Sequence, residues 1–372
     1  MTGGGDCPGL NAVIRAFVNV GKRTYGWEIL GIEDAFNGLI DTDYKFPRGN
    51  RWLELEDVRG IIELGGTILG TSNRSDPFNY VVRENGVERT VDVSDVVMEN
   101  YARLGLDALV SIGGDGSMSI AKKFIDKGMR VVGVPKTIDN DLGGTDQTFG
   151  FDTALNVATE AIDRIRDTAE SHDRVMLVEV MGRDAGWIAL HAGIAGGADA
   201  ILIPEIPYAL EPIAQMIEMR RARGTTYSII VVAEGARPRG GESSVVEKKL
   251  GAMPRLMGAA GRVATGLETM VDADMRVTVL GHIQRGGAPT AFDRVLGTRF
   301  GEMAAELVAA EKFGCMASLR AGRIEAVRIE EAIARPKRVD PTGQLVTTAR
   351  AVGVRFGDGV TRHSLVAPPK TE

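Results

Sequence analysis

Short runs of apolar residues alternate with amphipathic stretches along most of the chain. Six of the runs are rich in Val, Ile and Leu, a composition typical of parallel strands that are buried on both faces. They cover residues 108–112, 130–134, 175–180, 200–203, 228–233 and 276–280. The amphipathic stretches predict helices over residues 11–22, 117–127, 153–171, 187–195, 211–223, 256–269 and 292–311. This alternation predicts an α/β fold built on parallel sheets.

The length of the chain indicates more than one hydrophobic core. At 372 residues it exceeds the usual size of a single domain. We therefore expect two Rossmann-like, three-layer α/β domains with mainly parallel sheets, which share a cleft and are crossed by the chain more than once. The expected first domain covers residues 1–138 and about 255–305, and the second covers 139–254 and about 306–365.

Composition and charge exclude several classes of protein. The hydrophobic fraction of 44% and the charged fraction of 25% are those of an ordinary globular protein. A net charge of −6 argues against a nucleic-acid-binding platform. Apolar runs are too short to span a bilayer, and Cys7 and Cys315 are too few for a disulfide framework. We expect a cytoplasmic protein that binds neither nucleic acid nor membrane.

The beginning of the sequence lacks an expected element. A glycine turn starts at Gly3, and such a turn normally follows a strand. Either the start codon lies a few codons upstream or the sequence lacks its first strand. Because a missing strand would leave a long unpaired sheet edge, we expect a version extended upstream to be more soluble.

Polar and glycine-rich motifs follow the ends of five predicted strands. GGDGS follows Ile112, PKTIDND follows Val134, MGRD follows Val180, EG follows Ala233 and GHIQRGG follows Leu280. Ligands of parallel α/β sheets bind at the carboxyl ends of strands. The sequence therefore predicts that these motifs form one site.

Two glycine turns each lead into a predicted helix. The turns Gly3–Asn11 and Gly113–Ser117 are suited to bind an anion, because their N–H groups and the helix dipole attract negative charge. Asp115 in the second turn would repel a phosphate unless a cation lay between them, so it is a candidate Mg²⁺ ligand. An ordinary Asp-Gly turn remains the alternative.

Two carboxylates lie two positions apart, just beyond a predicted strand. One of Asp139 and Asp141 is suited to accept a hydroxyl proton while the other is held near metal or water. An Asp- and Asn-rich turn explains this motif equally well when it is considered alone.

Cationic side chains lie beside or just beyond the strand ends. They are Arg174, Arg183, Arg276 and Arg285, with His282. The guanidinium group matches the geometry of phosphate oxygens. A surface ion pair explains any one of them, but the whole set indicates a phosphorylated substrate.

The chain resembles the 6-phosphofructokinase family from Thr2 to about Phe300. The motifs that carry the resemblance occur in order: TGGGDCPGLN, GGTILGTSNR, GGDGS, PKTIDND, SHDRVMLVEVMGRDAG, VVAEG and RVTVLGHIQRGG. GHIQRGG together with TIDND is highly specific. A lone GGDG would also fit NAD kinases or lipid kinases, which lack the later motifs.

The resemblance implies a glycolytic kinase that uses ATP and Mg²⁺ to phosphorylate the 1-hydroxyl of fructose 6-phosphate. It implies that the first domain binds the donor and the second binds the sugar phosphate. The implied donor-binding residues are Gly5, Arg74, Gly114, Asp115, Gly116 and Ser117, with Asp115 on Mg²⁺. Asp139 would be the general base, and Arg74 and Arg183 would offset charge on the transferred group.

The resemblance also implies the residues that bind fructose 6-phosphate. They are Thr137, Ile138, Asp139, Arg174, Met181, Gly182, Arg183, Glu234, Arg276, His282, Ile283, Gln284 and Arg285. Arg174 corresponds to an arginine that in this family reaches the site of the neighbouring subunit. We therefore expect a homodimer or homotetramer.

The phosphoryl donor depends on two positions at which the family divides. Pyrophosphate-dependent members typically carry Asp at the position of Gly116 and Lys at the position of Lys136, so the two signals disagree. Gly116 favours ATP, because an Asp there would repel the α-phosphate. A pyrophosphate-dependent phosphotransferase is the alternative. A non-catalytic sugar-phosphate sensor is a third reading, against which the intact Asp115 and Asp139 argue.

Overall fold

A computed structural model describes residues 1–43, 49–84, 86–247 and 255–360. The strands are β1 Leu30–Gly31, β2 Arg51–Trp52, β3 Tyr80–Glu84, β4 Val87–Val91, β5 Leu109–Gly113, β6 Val131–Pro135, β7 Val175–Val180, β8 Ala200–Leu202, β9 Ser228–Ala233, β10 Val245–Glu247, β11 Arg255–Leu256, β12 Met275–Val279, β13 Cys315–Arg320 and β14 Arg323–Arg328. The α-helices are α1 Leu10–Val20, α2 Asn37–Ile40, α3 Ser94–Arg103, α4 Asp115–Asp126, α5 Phe151–Ser171, α6 Trp187–Ala195, α7 Glu211–Ala222, α8 Ala259–Glu268, α9 Ala291–Ala309, α10 Ile329–Ala334 and α11 Gln344–Ala351. A π-helical turn covers Gly21–Tyr25, and a 3₁₀-helix covers Gly281–Arg285.

The chain folds into two compact units. The described part of the first contains residues 1–43, 49–84, 86–153 and 285–337, and that of the second contains residues 154–247, 255–284 and 338–360. The chain therefore passes from one unit to the other more than once. The sequence predicted domain boundaries at 138/139 and near 254/255 and 305/306. It also predicted that the first domain binds the donor and the second binds the sugar phosphate. Both stay predictions.

A four-stranded sheet forms the centre of the first unit. Its order is β14-β13-β6-β5, in which β5, β6 and β13 are parallel and β14 is antiparallel to β13. Leu109 and Val131 pack with Phe124 of α4 in a buried cluster that also contains Phe36. Helices α1 and α9 pack closely, because Gly301 lies where any side chain would collide with the Val13 carbonyl. The α/β class with mainly parallel sheets, expected from the sequence, is confirmed.

The second unit is built on a wholly parallel sheet. Its order is β12-β7-β9-β8. Alternate residues of these strands, among them Leu177, Leu202 and Ile230, join a buried cluster with residues of α7 and α8. Every residue of β7, β8 and β9 is buried, which explains their continuous apolar runs.

The six predicted strands are present within one or two residues of their expected bounds, and six of the seven predicted helices agree almost as closely. The seventh was expected to begin at Leu256, but Arg255–Leu256 is a strand and α8 begins at Ala259. The hairpins β3–β4 and β13–β14 were not predicted. Their exposed positions interrupt the apolar pattern on which the prediction relied.

The first residues lie beside β5. Thr2 forms a parallel bridge with Ile112, and the N–H of Gly3 donates to the Ile112 carbonyl at 2.9 Å. The N–H of Ile112 in turn donates to the Met1 carbonyl at 3.1 Å. Residues 1–3 therefore lie along the edge of the sheet at β5.

A buried carboxylate joins the beginnings of two helices in the first unit. The side chain of Asp293 in α9 accepts hydrogen bonds from the N–H groups of Gly150 and Thr153, at 2.9 and 2.8 Å, and from the Thr153 hydroxyl at 2.6 Å. Thr290 caps the N-terminus of α9. Asp293 thus satisfies amides at the start of α5 that the helix itself leaves without acceptors.

This carboxylate predicts a pH dependence of stability. Burial raises the pKa of Asp293 to about 6, above the value of about 3.9 for an unfolded Asp. The folded state then binds the proton more tightly, so this contribution is complete below about pH 4 and is lost as the pH rises through 6. Urea denaturation should show wild type losing about 2 kcal/mol relative to Asp293→Asn between pH 4 and 7. A difference between the two proteins that does not change with pH would contradict this assignment.

Candidate active site

The predicted site residues fall into two groups, one in each compact unit. The first unit holds Gly5, Arg74, Gly114, Asp115, Gly116, Ser117, Lys136, Thr137, Ile138, Asp139 and Arg285. The second holds Arg174, Met181, Gly182, Arg183, Glu234, Arg276, His282, Ile283 and Gln284. Most members of each group lie at strand ends of the sheet in their own unit, but Arg74 lies in the loop before β3 and Arg285 follows β12 of the second sheet.

The turn between β5 and α4 presents backbone N–H groups at a helix N-terminus. The first helical hydrogen bond runs from the N–H of Met118 to the Gly114 carbonyl, at 3.0 Å. The N–H groups of residues 115–117 precede it and have no acceptor within the helix. Positive helix-dipole charge adds to these donors. The turn therefore suits a phosphate group.

Glycines let the two predicted phosphate-binding turns approach each other. Any side chain at Gly113 would collide with Ser117, and a Cβ atom at Gly3 would lie 2.8 Å from the Ser117 hydroxyl. Gly4 has φ of 78°, in the left-handed region that favours glycine, and its N–H donates to the Ser72 carbonyl at 3.0 Å. The turns at Gly3 and Gly113 thus form one continuous surface.

Asp115 and Gly116 lie on the open side of this surface. Both residues are exposed, and apart from the neighbouring residues and backbone of its own helix, no described atom lies within 4 Å of the Cβ position of Gly116. Although Asp115 as a whole is exposed, partial burial of its carboxyl raises the pKa. A bound cation would favour the charged form and offset this effect.

Two cationic side chains contact the first glycine turn. The buried Lys136 donates from Nζ to the Gly5 carbonyl, and Arg285 donates from Nη1 to the Asp6 carbonyl at 3.0 Å. A Cβ atom at Gly5 would lie 2.8 Å from Nη1 of Arg285. Burial lowers the pKa of Lys136, and the charge of Arg285 acts in the same direction. Arg285, predicted to bind the sugar phosphate, therefore lies against the turn predicted to bind the donor.

The TIDND segment begins directly beside the second glycine turn. The N–H of Lys136 donates to the Gly113 carbonyl at 3.0 Å, so β5 and β6 bring GGDG and TIDND together. Asp139 is only 4% exposed, and its N–H donates to the Thr137 hydroxyl at 3.0 Å. Its Oδ1 atom has no hydrogen-bond partner in the described part of the chain. A buried carboxylate oxygen without a partner is a candidate proton acceptor.

Arg74 and Ile138 have simpler surroundings. Arg74 is exposed, and its N–H donates to the Ser72 hydroxyl at 3.1 Å. Ser72 also binds Gly4, so Arg74 follows a segment attached to the first glycine turn. The Ile138 side chain is fully buried, which leaves its backbone as the part suited to contact a ligand.

In the second unit, the ends of β7 and β9 carry a strained turn. Gly182 has φ of 137°, and Arg183 has φ of 51°, which is uncommon for a residue with a side chain. The N–H of Arg183 donates to Oε1 of Glu234 at 3.0 Å, and any side chain at Gly235 would collide with the Arg183 carbonyl. The structure therefore brings Met181, Gly182, Arg183 and Glu234 together as expected from their motifs.

Arg174 and Arg276 lie elsewhere on the same sheet. Met275 pairs with Val175, so both arginines are at the amino ends of their strands. The motifs after Val180, Ala233 and Leu280 are at the carboxyl ends, roughly 15 Å away at about 3.3 Å per residue. Within one chain, the second unit does not bring Arg276 to Met181 and Glu234.

A single carboxylate pairs with both of these arginines. Nε of Arg174 donates to Oδ2 of Asp274 at 2.8 Å, and Nη1 of Arg276 donates to Oδ1 of the same side chain. The hydrogen bond from Arg174 lowers the pKa of Asp274, and Arg276 adds to this effect. The pair thus forms a partly exposed cationic cluster.

The side chains of the 3₁₀-helix after β12 point in different directions, some toward solvent and one into the interior. His282 and Ile283 are exposed, whereas Gln284 is fully buried and donates from Nε2 to the Gly281 carbonyl at 3.1 Å. Its Oε1 atom has no partner among the residues that the structure describes. His282 is thus available to a ligand, while the Gln284 side chain is turned inward.

Glu179 is a supporting residue that sequence reasoning missed. This buried carboxylate in β7 accepts from the N–H groups of Gly258 and Ala260, both at 2.9 Å, and so caps α8. It lies two positions before Met181 and pairs in register with Val279 of β12. A lone Glu within an otherwise apolar strand was the signal that could have revealed it, because a buried charge requires partners.

Comparison with known proteins identifies similar chains. The family profile described as phosphofructokinase matches residues 1–308. ATP-dependent 6-phosphofructokinase 2 of Clostridium perfringens is 50% identical over 363 residues, covering 96% of this chain and 97% of its own. Pyrophosphate–fructose 6-phosphate 1-phosphotransferase of Amycolatopsis methanolica is 50% identical over 343 residues, covering 92% and 95%. The crystal structure of Pichia pastoris phosphofructokinase in the T-state is similar with a TM-score of 0.76 and 32% identity, over 95% of this chain and 36% of that longer chain.

Proposed function

Because the chain belongs to the phosphofructokinase family, we propose that it transfers the γ-phosphoryl group of ATP to the 1-hydroxyl of fructose 6-phosphate. The observation that carries the proposal is the adjacency of two motifs. The helix N-terminus at GGDG, suited to a phosphate, lies beside TIDND, which supplies a buried carboxylate with an oxygen that no described residue binds. A phosphate-binding surface next to a proton acceptor is what phosphoryl transfer to a hydroxyl requires.

The donor phosphates would bind to the surface formed by the two glycine turns. N–H groups of residues 115–117 would donate to phosphate oxygens, and Gly5 would allow close approach. Lys136 and Arg285 would add positive charge from the side of the first turn. Arg74 would contact the same phosphates from its exposed position.

Asp115 fits a magnesium site of the kind that is completed by substrate. Within the described ranges, no cluster of three or more His, Cys, Asp or Glu side chains is placed to hold a metal ion. Mg²⁺ commonly binds through one or two carboxylates together with substrate phosphates and water. Asp115 would supply that carboxylate, and the ion would neutralise charge on the phosphates.

Asp139 would accept the proton of the attacking hydroxyl. Its buried position restricts the side chain, and the bond from its backbone N–H to the Thr137 hydroxyl fixes the main chain that carries it. Arg74 and Arg183 would offset charge that spreads over the transferred group. Positioning and electrostatic stabilisation are the main sources of rate enhancement in such reactions.

The sugar phosphate would bind to the carboxyl-end residues of the second sheet. Met181, Gly182 and Glu234 would contact the sugar. Arg183 would face the reacting end of the substrate, and His282 would face its phosphate. Arg174 and Arg276, at the opposite strand ends, would serve the site of a neighbouring subunit. The function therefore requires at least a homodimer, and a homotetramer would also satisfy it.

Pyrophosphate is the second candidate donor. Two observations favour pyrophosphate: the presence of Lys136 and the similarity to the Amycolatopsis enzyme. The open position at Gly116 favours ATP. Turnover should be measured with fructose 6-phosphate, Mg²⁺ and either ATP or pyrophosphate. We expect fructose 1,6-bisphosphate to form with ATP and not with pyrophosphate; the reverse result would overturn the donor assignment, and no product with either donor would overturn the function.

The described residues contain no helix that is both long and apolar enough to cross a membrane. The proposed substrates are metabolites of the cytoplasm, and we infer that the enzyme acts there.

A further inference from the structure

The loop that follows Asp139 is closed by hydrogen bonds. Asn140 has φ of 53°, and its Oδ1 accepts from the Thr148 N–H at 3.2 Å. The Thr148 hydroxyl donates to the Thr137 carbonyl at 2.7 Å. Residues 140–148 therefore leave the TIDND segment and return to it, so their conformation bears directly on the orientation of Asp139.

Lys337 joins both ends of this loop. Its Nζ donates to Oδ1 of Asn140 at 2.7 Å, and to the carbonyls of Thr145 at 3.1 Å and Asp146 at 2.8 Å. Its backbone N–H donates to the Asp141 carbonyl at 2.7 Å. One residue, 197 positions from Asn140 along the chain, thus holds the beginning and the end of the loop.

The charge of Lys337 suits this role. Burial lowers its pKa to about 8, while Asp146 and Asp141 act in the opposite direction. At neutral pH the ammonium group is protonated and has three N–H donors. They match the three oxygen acceptors, so the side chain is used for the loop rather than left available to a substrate phosphate.

We propose that Lys337 is a positioning residue for the phosphoryl-transfer step, holding the 140–148 loop so that the Asp139 carboxylate faces the attacking hydroxyl. The proposal rests on the proposed role of Asp139 as general base. Lys337 touches neither the donor nor the sugar in this scheme. Its loss should therefore affect kcat and not KM.

The test compares Lys337→Met with wild type and with Lys312→Met, which removes an exposed lysine of the same unit. For Lys337→Met we expect kcat to fall by about 10- to 100-fold, because a small misplacement of a catalytic group is costly. KM for ATP and fructose 6-phosphate should stay within about threefold. Lys312→Met should behave like wild type. An unchanged kcat in Lys337→Met, or a large rise in KM with kcat intact, would overturn the proposal.

A double-mutant cycle separates this proposal from the base assignment. If Lys337 acts through Asp139, Lys337→Met should cause little further loss of kcat in an Asp139→Ser background. The same fold-loss in both backgrounds would show an independent role and overturn the proposal. Wild-type turnover in Asp139→Ser alone would instead refute the base assignment, and with it the premise.

A milder variant guards against misfolding. Lys337→Arg keeps the cation and several donors, so it should retain more of kcat than Lys337→Met at a similar melting temperature. Addition of ethylammonium should restore part of kcat in Lys337→Ala by supplying the missing ammonium group. If Lys337→Met does not fold, the solvent isotope effect on kcat should be measured in Lys337→Arg and Lys337→Ala. A wild-type isotope effect in both variants, together with no rescue of Lys337→Ala by ethylammonium, would overturn the proposal.

Discussion

Replacing Asp139 by serine is expected to lower kcat by about 10²- to 10⁴-fold, the range that general-base catalysis supplies. Serine removes the carboxylate whose Oδ1 is buried and has no partner in the described chain. The N–H bond from residue 139 to the Thr137 hydroxyl belongs to the backbone and remains available. The loss should therefore concern proton transfer and not the shape of the segment.

Binding should respond differently from turnover in this variant. The residues proposed to hold the phosphate of fructose 6-phosphate lie outside the TIDND segment, so its affinity should change by less than about threefold. Steady-state kinetics with both substrates and isothermal titration with fructose 6-phosphate check the two halves of the prediction. Asp95→Ser is the matched control, because the Asp95 side chain is 90% exposed. Unchanged turnover in Asp139→Ser would refute the base assignment.

Gly116→Asp is expected to abolish the use of ATP. The Cβ position at Gly116 is open within the described structure, so the fold should accept the new side chain. Its carboxylate would then lie where the phosphates of the donor must pass. Two negative charges about 4 Å apart at an effective dielectric constant near 20 repel by about 4 kcal/mol, which corresponds to a loss of about 10³-fold in kcat/KM for ATP.

Two control variants separate the effect of side-chain size on ATP use from the effect of charge. Gly116→Ala adds one carbon, and Gly116→Asn adds the shape of Asp without its charge. If repulsion dominates, Asn should retain far more ATP activity than Asp. Pyrophosphate has no α-phosphate, so the new carboxylate of Gly116→Asp should not repel that donor in the same way. Retained ATP turnover in Gly116→Asp would refute this explanation of donor choice.

Lys136 bears on donor choice in a different way. This lysine is buried and donates to the Gly5 carbonyl, so it lies behind the turn to which either donor would bind. A cation at that place favours any transferred phosphoryl group. Its presence alone therefore distinguishes the donors less well than the space at Gly116.

The central strands were predictable from the sequence because they are buried on both faces. Burial of every residue in β7 and β9 selects continuous runs of Val, Ile and Leu, which differ clearly from helices and loops. The hairpin β3–β4 lacks this signal, since most of β4 is exposed and carries polar side chains. Partial exposure removes the pattern from which an element is recognised.

The sequence by itself determined the α/β class, the parallel strands and the motifs at their carboxyl ends. Local chemistry suffices there, because glycine turns, helix starts and buried strands depend on neighbouring residues. It also indicated that the base candidate and the phosphate-binding turn belong to one site. Resemblance to a family then supplied the proposed substrates.

Only the tertiary structure decided which of the candidate residues lie together. It placed Arg174 and Arg276 at the amino ends of β7 and β12 and joined them through Asp274, which required the pairing register of the two strands. It also brought Lys337 to the Asp139 loop, although most of the oxygen atoms that bind it are backbone carbonyls. Backbone carbonyls are present in every residue, so no local pattern marks the ones that folding will gather around a distant lysine.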